Sequence, residues 1–214
     1  MVLCVETIFQ RYRLLLLDIN SKSNELPKYI DSPSDVNINS LFQQFSDSSE
    51  LDFKQLTAIC IVSGPGSYTG IRISYAFGSA LSFALGIPLT SINTHELLRE
   101  TIPSADELPL LTLIHARAGE LFYGCFNVSS RPEYGHLELK SLKRSIWGDA
   151  PLIVVSNNES LLKTIEWKNE DELIFVDNLS HETLAKAVIA HFARHGSPIR
   201  PLEEPFYQKD VYIR

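Results

Sequence analysis

Three features of this chain have residue types and spacings that could carry chemistry. They are a glycine-rich segment at residues 64–72, a histidine pair at His191 and His195, and the cysteines Cys4, Cys60 and Cys125. The segment reads Gly64-Pro65-Gly66-Ser67-Tyr68-Thr69-Gly70-Ile71-Arg72. Three residues separate its last two glycines, one too many for the dinucleotide fingerprint, and no Gly-Lys-Ser/Thr follows, so neither Rossmann nor P-loop chemistry is supported. Ser67 lacks the flanking glycines of a nucleophile elbow. What the residues do specify is a strand-to-helix turn. Glycines permit positive φ, Pro65 fixes its own φ, and Ser67 or Thr69 can cap the helix that follows. Free amides at that helix start could also hold an anion. The residues alone leave both readings open.

The histidines stand four apart on one helix face, a spacing that can hold a metal. No third ligand lies nearby in sequence, and imidazoles near a helix C-terminus also complement its dipole, so the expectation is no metal. The cysteines are odd in number, lack metal spacing and sit in apolar strand-like runs, which reads as core thiols in a reducing compartment. No catalytic residue is expected.

The wider chain is consistent with a binding role. At 44% hydrophobic and 21% charged residues over 214 positions it can bury a sizeable core, as one domain or two lobes. A net charge of −7 gives no positive field to attract phosphate backbones, so any service to RNA would run through a partner. The start, Met-Val-Leu-Cys-Val-Glu, has no basic region of a secretory signal, and no apolar run reaches the roughly 20 residues of a membrane span. A cytoplasmic protein with no membrane contact is expected.

The elements that position the glycine segment follow from hydrophobic period. Val2 to Glu6 and Arg13 to Ile19 read as a strand pair, and Leu56 to Ser63 as a strand buried on both faces. Residues 20 to 35 are polar and hold Pro27 and Pro33. Ile38, Leu41, Phe42 and Phe45 give a short one-faced helix, residues 71 to 85 a second helix, Pro88 to Ile92 a strand and Thr94 onward a helix. Pro103 to Pro109 reads as a connection, and the lobe boundary is placed there, giving lobes 1–105 and 106–214. The second half repeats the scheme. Leu110 to His115 and Glu120 to Val128 pair around Ala116-Arg117-Ala118-Gly119; strands at His136 to Leu142, Leu152 to Ser156 and Leu173 to Val176 and a helix from Glu159 to Ile165 follow. The last helix, Ser180 to His195, has Ser180 as cap, a Leu179–Leu184 staple, a face of Leu184, Val188, His191 and Phe192, and Gly196 then Pro198 as stop.

Projected at 100° per residue, the helix after the glycine turn carries two stripes on nearly opposite sides. Ile73, Phe77, Ala80 and Ala84 form one, expected to pack on the sheet. Ile71, Tyr75, Gly78 and Ser82 form the other, whose small residues leave room for another helix. That neighbour is either the helix of residues 35 to 46, through Ile38 and Phe42, or a partner protein.

On these residues the chain resembles the TsaB (YeaZ) family. The stretch Ser63 to Ile73 is similar to the family's Gly-Arg-Gly-Pro-Gly-Ser-Phe-Thr-Gly-Val-Arg-Ile. So are Gly86-Ile87-Pro88 to Thr94, Ala116-Arg117-x-Gly119-Glu120-Leu121-Phe122-Tyr123, Glu204-Pro205-Phe206-Tyr207 and Val211-Tyr212-Ile213-Arg214. The resemblance implies an α/β protein of the actin-like (ASKHA) fold, with two lobes on five-stranded mixed sheets. It implies a non-catalytic subunit for tRNA threonylcarbamoyladenosine (t6A) synthesis in bacteria. That subunit would form a heterodimer with TsaD, which carries the metal and transfers the threonylcarbamoyl group. A TsaE-like ATPase would be met indirectly and tRNA only through the complex. The family hint sets the partner interface at Ile71, Tyr75, Gly78, Ser82, Ile38 and Phe42, with Gly64, Pro65, Gly66, Ser67, Thr69, Gly70 and Arg72 forming the motif turn.

In phosphate-binding relatives an aspartate opens the first hairpin of each lobe; here those positions hold Glu6 and His115. No cofactor is therefore expected, with a nucleotide at the lobe or heterodimer junction as the alternative. Catalytic relatives carry paired histidines on a first-lobe helix, whereas His191 and His195 end the last one. The competing readings are a nucleotide-dependent enzyme or M22-type peptidase acting alone, and a stand-alone homodimer.

Overall fold

The computed structural model describes residues 1–19, 27–102, 108–116, 119–128 and 133–196. Arg117, Ala118, Pro198 and the C-terminal residues 204–214 singled out above lie outside this set. The chain forms two compact units, Met1–Thr94 joined by the last helix, and His95–Leu179.

In the first unit the apolar runs become the strands β1 (Val2–Glu6), β2 (Arg11–Leu17) and β4 (Ala58–Val62), which lie beside β3 (Lys28–Pro33) and β5 (Leu89–Ile92) in the order β3-β2-β1-β4-β5. β1 pairs antiparallel with β2 and parallel with β4. Every residue of β1 and β4 is buried, as continuous apolar strands in the middle of a covered sheet must be. β3 falls in the polar stretch where no strand was expected. It is an edge strand with mostly exposed side chains, so its sequence lacks the apolar alternation by which strands are recognised. Helices α1 (Ile38–Ser49) and α2 (Tyr68–Leu85) belong to this unit.

The second unit repeats the plan. β6 (Leu110–His115), β7 (Glu120–Phe126) and β8 (Glu133–Glu138) form a meander. β9 (Ile153–Ser156) and β10 (Glu172–Phe175) add in parallel on the far side of β6, giving the order β10-β9-β6-β7-β8. Both sheets are thus a three-stranded meander extended by two parallel strands. β8 begins three residues earlier than the alternation at His136 suggests. Its Gly135 faces Tyr123 across the ladder, and a Cβ there would overlap the phenol ring. Short helices α3 (Thr94–Arg99) and α4 (Glu159–Lys163) precede and follow β6–β9.

The core of this unit gathers Leu111, Leu113, Leu121, Leu152, Val154 and Leu161, with Trp147 and Trp167 packed against it. Arg144 and Asp171 tie the loops beneath that core. The guanidinium reaches both carboxylate oxygens, at 2.5 and 2.8 Å, and the carbonyls of Gly148 and Ala150. Asp171 also accepts from the amides of Leu152 and Lys168, both at 2.9 Å.

The lobes were expected at 1–105 and 106–214, but helix α5 (His181–His195) packs on β2 of the first unit, where Leu184, Val188, His191 and Phe192 are buried. At the other end of the boundary His95 joins the second unit, its Nδ1 2.7 Å from Thr112 Oγ1. Sequence order places α5 at the end of the chain, and its apolar face alone does not say which sheet will cover it.

The caps of α5 are the expected ones. Ser180 Oγ accepts from the amide of Thr183 at 3.2 Å, and Gly196, at φ +73°, closes the helix by donating to Phe192 O at 2.8 Å. Ser180→Ala should lower stability by about 1 kcal/mol, read as a melting temperature roughly 2–4 °C lower by calorimetry. Among the described residues no helix is long and apolar enough to cross a membrane.

Candidate functional site

The glycine segment is a tight packing joint. Gly64 (φ +101°) and Gly66 (φ +153°) lie in backbone regions closed to most side chains, and the Gly64–Pro65 peptide is cis. Thr94 donates to Gly64 O at 2.7 Å, tying the turn to the end of β5. A Cβ on Gly70 would overlap the carbonyl of Thr7, and one on Gly66 would overlap the side chain of Ile8. The glycines therefore let the β1–β2 turn close directly onto the start of α2, where Thr7 Oγ1 donates to Gly70 O at 2.7 Å. Ser67 caps the helix by accepting from Gly70 N at 3.1 Å. Thr69 is exposed, and Arg72, also exposed, lies over the Tyr68 ring at 5.4 Å.

Glu6 stands at the end of β1 beside this joint and is fully buried. One carboxylate oxygen accepts from the amides of Ile8 and Phe9, at 2.6 and 2.9 Å, and the other from Arg13 Nη1 at 2.6 Å. Burial pushes the Glu6 carboxyl above its ordinary pKa, while Arg13 and the two amides pull it back. Both carboxylate oxygens are thus engaged in closing the protein's own hairpin. Arg13 was not foreseen as its partner, although Glu6 and Arg13 are opposite charges flanking one turn between apolar strands, and they are register partners across β1–β2. His115, at the matching end of β6, is exposed and supplies no carboxylate.

The two stripes of α2 sit the other way round from the expectation. Ile71 (2% exposed), Tyr75 (8%) and Gly78 face the sheet, and Ser82 is half-buried with its hydroxyl donating to Ile87 O at 2.5 Å. A Cβ on Gly78 would press into Ile61 and Leu89. Small residues mark where a helix comes closest to a neighbour, and here that neighbour is the protein's own sheet. Ile71, Tyr75 and Gly78 are thus covered by the protein's own sheet, and Ser82 is half-buried at the end of the same stripe.

The opposite stripe is open. Ile73 and Phe77 are half-buried, Ala76, Ala80 and Ala84 are exposed, and Phe83 is 90% exposed. Across from them, α1 brings up Phe42, whose ring meets Phe77 edge-on at 5.2 Å, while Ile38 is half-buried and Phe53 of the following turn is 39% exposed. Ile38 and Phe42 remain in the candidate set. In 18 residues α2 carries a single charge, Arg72, in its first turns. A surface helix ordinarily turns a charged face to water. This one instead turns alanines and the strongly exposed Phe83 to solvent.

Comparison with known proteins places the chain. The family model for TsaD, tRNA N6-adenosine threonylcarbamoyltransferase, matches residues 24–130, half of the sequence. The curated relatives are tRNA threonylcarbamoyladenosine biosynthesis proteins TsaB. That of Bacillus subtilis is 24% identical over 125 residues, 58% of this chain and 54% of its own length. That of Buchnera aphidicola from Schizaphis graminum is 25% identical over 122 residues, 56% and 54%.

The chain belongs to this family, on its TsaB (YeaZ) branch.

The match spans about half the length of the curated TsaB relatives, or less. In three dimensions the likeness to the branch is broader. YeaZ from Pseudomonas aeruginosa superposes with a TM-score of 0.68 over 92% of this chain and 93% of its own, at 17% identity. A second Pseudomonas aeruginosa structure, described as similar to peptidase YeaZ, gives 0.70 over 95% and 98%, at 16% identity. Two five-stranded mixed sheets flanked by helices are the actin-like fold that the TsaB resemblance implied.

Proposed function

We propose that this TsaB-family chain is a non-catalytic subunit for tRNA threonylcarbamoyladenosine synthesis, which docks a TsaD-type threonylcarbamoyltransferase on the outer face of α2 and α1. The observation that carries this reading is the uncharged ridge of half-buried Ile73 and Phe77 with exposed Ala80, Phe83 and Ala84 beside Phe42. Aromatic residues are enriched at protein interfaces, and a few buried anchors carry most of the binding energy there. The non-catalytic part rests on Glu6, whose oxygens are taken up by Arg13 and two amides, and on His115 in the second carboxylate position. With a net charge of −7, the chain meets tRNA through the complex, and a TsaE-like ATPase is reached through TsaD. The three free, buried thiols suit the reducing cytoplasm.

Size-exclusion chromatography of the purified chain mixed with a TsaD homologue tests the docking, the expected result being one co-eluting peak that neither protein gives alone. Incubation of the chain alone with ATP should release no phosphate above background. Hydrolysis that disappears in Glu6→Ala would overturn the non-catalytic assignment.

A further inference from the structure

We infer that His191 and His195 form a two-imidazole site for a divalent first-row transition-metal ion such as Zn²⁺ or Ni²⁺, with water filling the remaining positions. Residues four apart on a helix stand one above the other on the same face, and here the two ring centres are 4.8 Å apart with the planes at 45°. Two imidazoles on one ion, each bonded at about 2.0–2.1 Å, place their ring centres roughly 4.5–5.2 Å apart for angles between square and tetrahedral. The observed spacing falls inside that window.

The two histidines differ in a way that suits a chelate. His191 is 9% exposed, set in the buried face of α5 beside Phe192 at 5.9 Å, and among the described residues its Nδ1 has no hydrogen-bond partner, so none of them fixes its tautomer through that atom. His195 is exposed in the last turn, which gives a hydrated ion an entry from solvent. Nitrogen donors favour zinc, nickel and copper over magnesium and calcium. Among the described residues no set of three His, Cys, Asp or Glu side chains comes together, which leaves this an open, two-ligand site.

The test is isothermal titration of the full chain, without a histidine tag, with Zn²⁺ and separately with Ni²⁺, for the wild type and for His195→Gln. His195 is exposed, so its replacement leaves the fold intact, which circular dichroism verifies. The expected result is one saturable site in the wild type that weakens about tenfold or more in His195→Gln. Absence of a saturable site in the wild type, or a smaller loss in His195→Gln, overturns the inference. His191→Gln, checked for folding by its melting temperature, should abolish the same site.

Discussion

Ala80→Arg is expected to weaken binding of a TsaD-type partner by about 30-fold or more while leaving the melting temperature of the isolated chain unchanged. Ala80 is exposed in the middle of the α2 ridge, between Phe77 one turn before and Ala84 one turn after. In the free protein an arginine there extends into water and touches nothing that holds the fold. In a complex it brings a charge and six heavy atoms into the part of the interface where side chains are packed and water is excluded. Losses at such central positions reach about 2 kcal/mol and more, and 1.4 kcal/mol is a factor of ten.

Tyr75→Asp supplies the contrast, because the two stripes of α2 make opposite predictions. If Ile71, Tyr75 and Gly78 faced a partner, the aspartate would break the complex and spare the fold. With Tyr75 8% exposed against the sheet, the aspartate removes a buried ring and leaves a carboxylate in apolar surroundings. The cost is about 4 kcal/mol or more, and the isolated chain should melt far earlier or fail to fold. Surface plasmon resonance for the first variant and thermal melts for both separate the two orientations. A stable Tyr75→Asp protein that has lost its partner, beside an Ala80→Arg protein that binds normally, would restore the inner stripe as the interface.

That reversal shows where sequence reasoning stopped. The period of α2 gave two stripes correctly, since Ile71, Tyr75 and Gly78 do share one side and Ile73, Phe77 and Ala80 the other. Period carries no sign. A glycine on a helix signals close approach, and Gly78 approaches Ile61 and Leu89 of its own sheet as readily as it would a second protein. The strands β1, β4, β6 and β9 were legible because burial on both faces demands unbroken apolar runs, and α5 because Ser180 and Gly196 mark both ends. β3 was not, because an edge strand half in water needs only backbone pairing with β2. The glycine turn was read as a turn, but its close fit against Thr7 and Ile8 depends on a hairpin 60 residues away in sequence, which no local pattern encodes. The same holds for the Arg144–Asp171 pair, whose members are 27 residues apart, one in a single 3-10 turn and the other in a loop.

That pair should make the second unit sensitive to acid and intolerant of losing either member. The side chains of Arg144 and Asp171 are 6% and 0% exposed. The Arg144 hydrogen bonds, ahead of those from the Lys168 and Leu152 amides, hold the Asp171 carboxyl below its usual range despite its burial. A carboxyl whose pKa is lowered by folding binds fewer protons in the folded state than in the unfolded one. Its contribution is therefore complete above the unfolded value of about 3.9 and drains away as pH falls through the lower folded value. Arg144→Met keeps the apolar stem but strips Asp171 of its counter-ion, leaving a buried carboxylate with two amides. Loss of one partner of a buried pair costs about 3–5 kcal/mol, so urea unfolding at pH 7 should move to markedly lower denaturant. Because the main cause of the lowered pKa is gone, stability of the variant should also fall less steeply below pH 4 than that of the wild type. Adding Asp171→Leu removes the stranded charge and should recover part of the loss. Recovery stays partial, since the amides of Leu152 and Lys168 then lose their acceptor. If Arg144→Met costs less than about 1 kcal/mol, the pair behaves like an exposed ion pair, and the buried geometry is not what holds these loops.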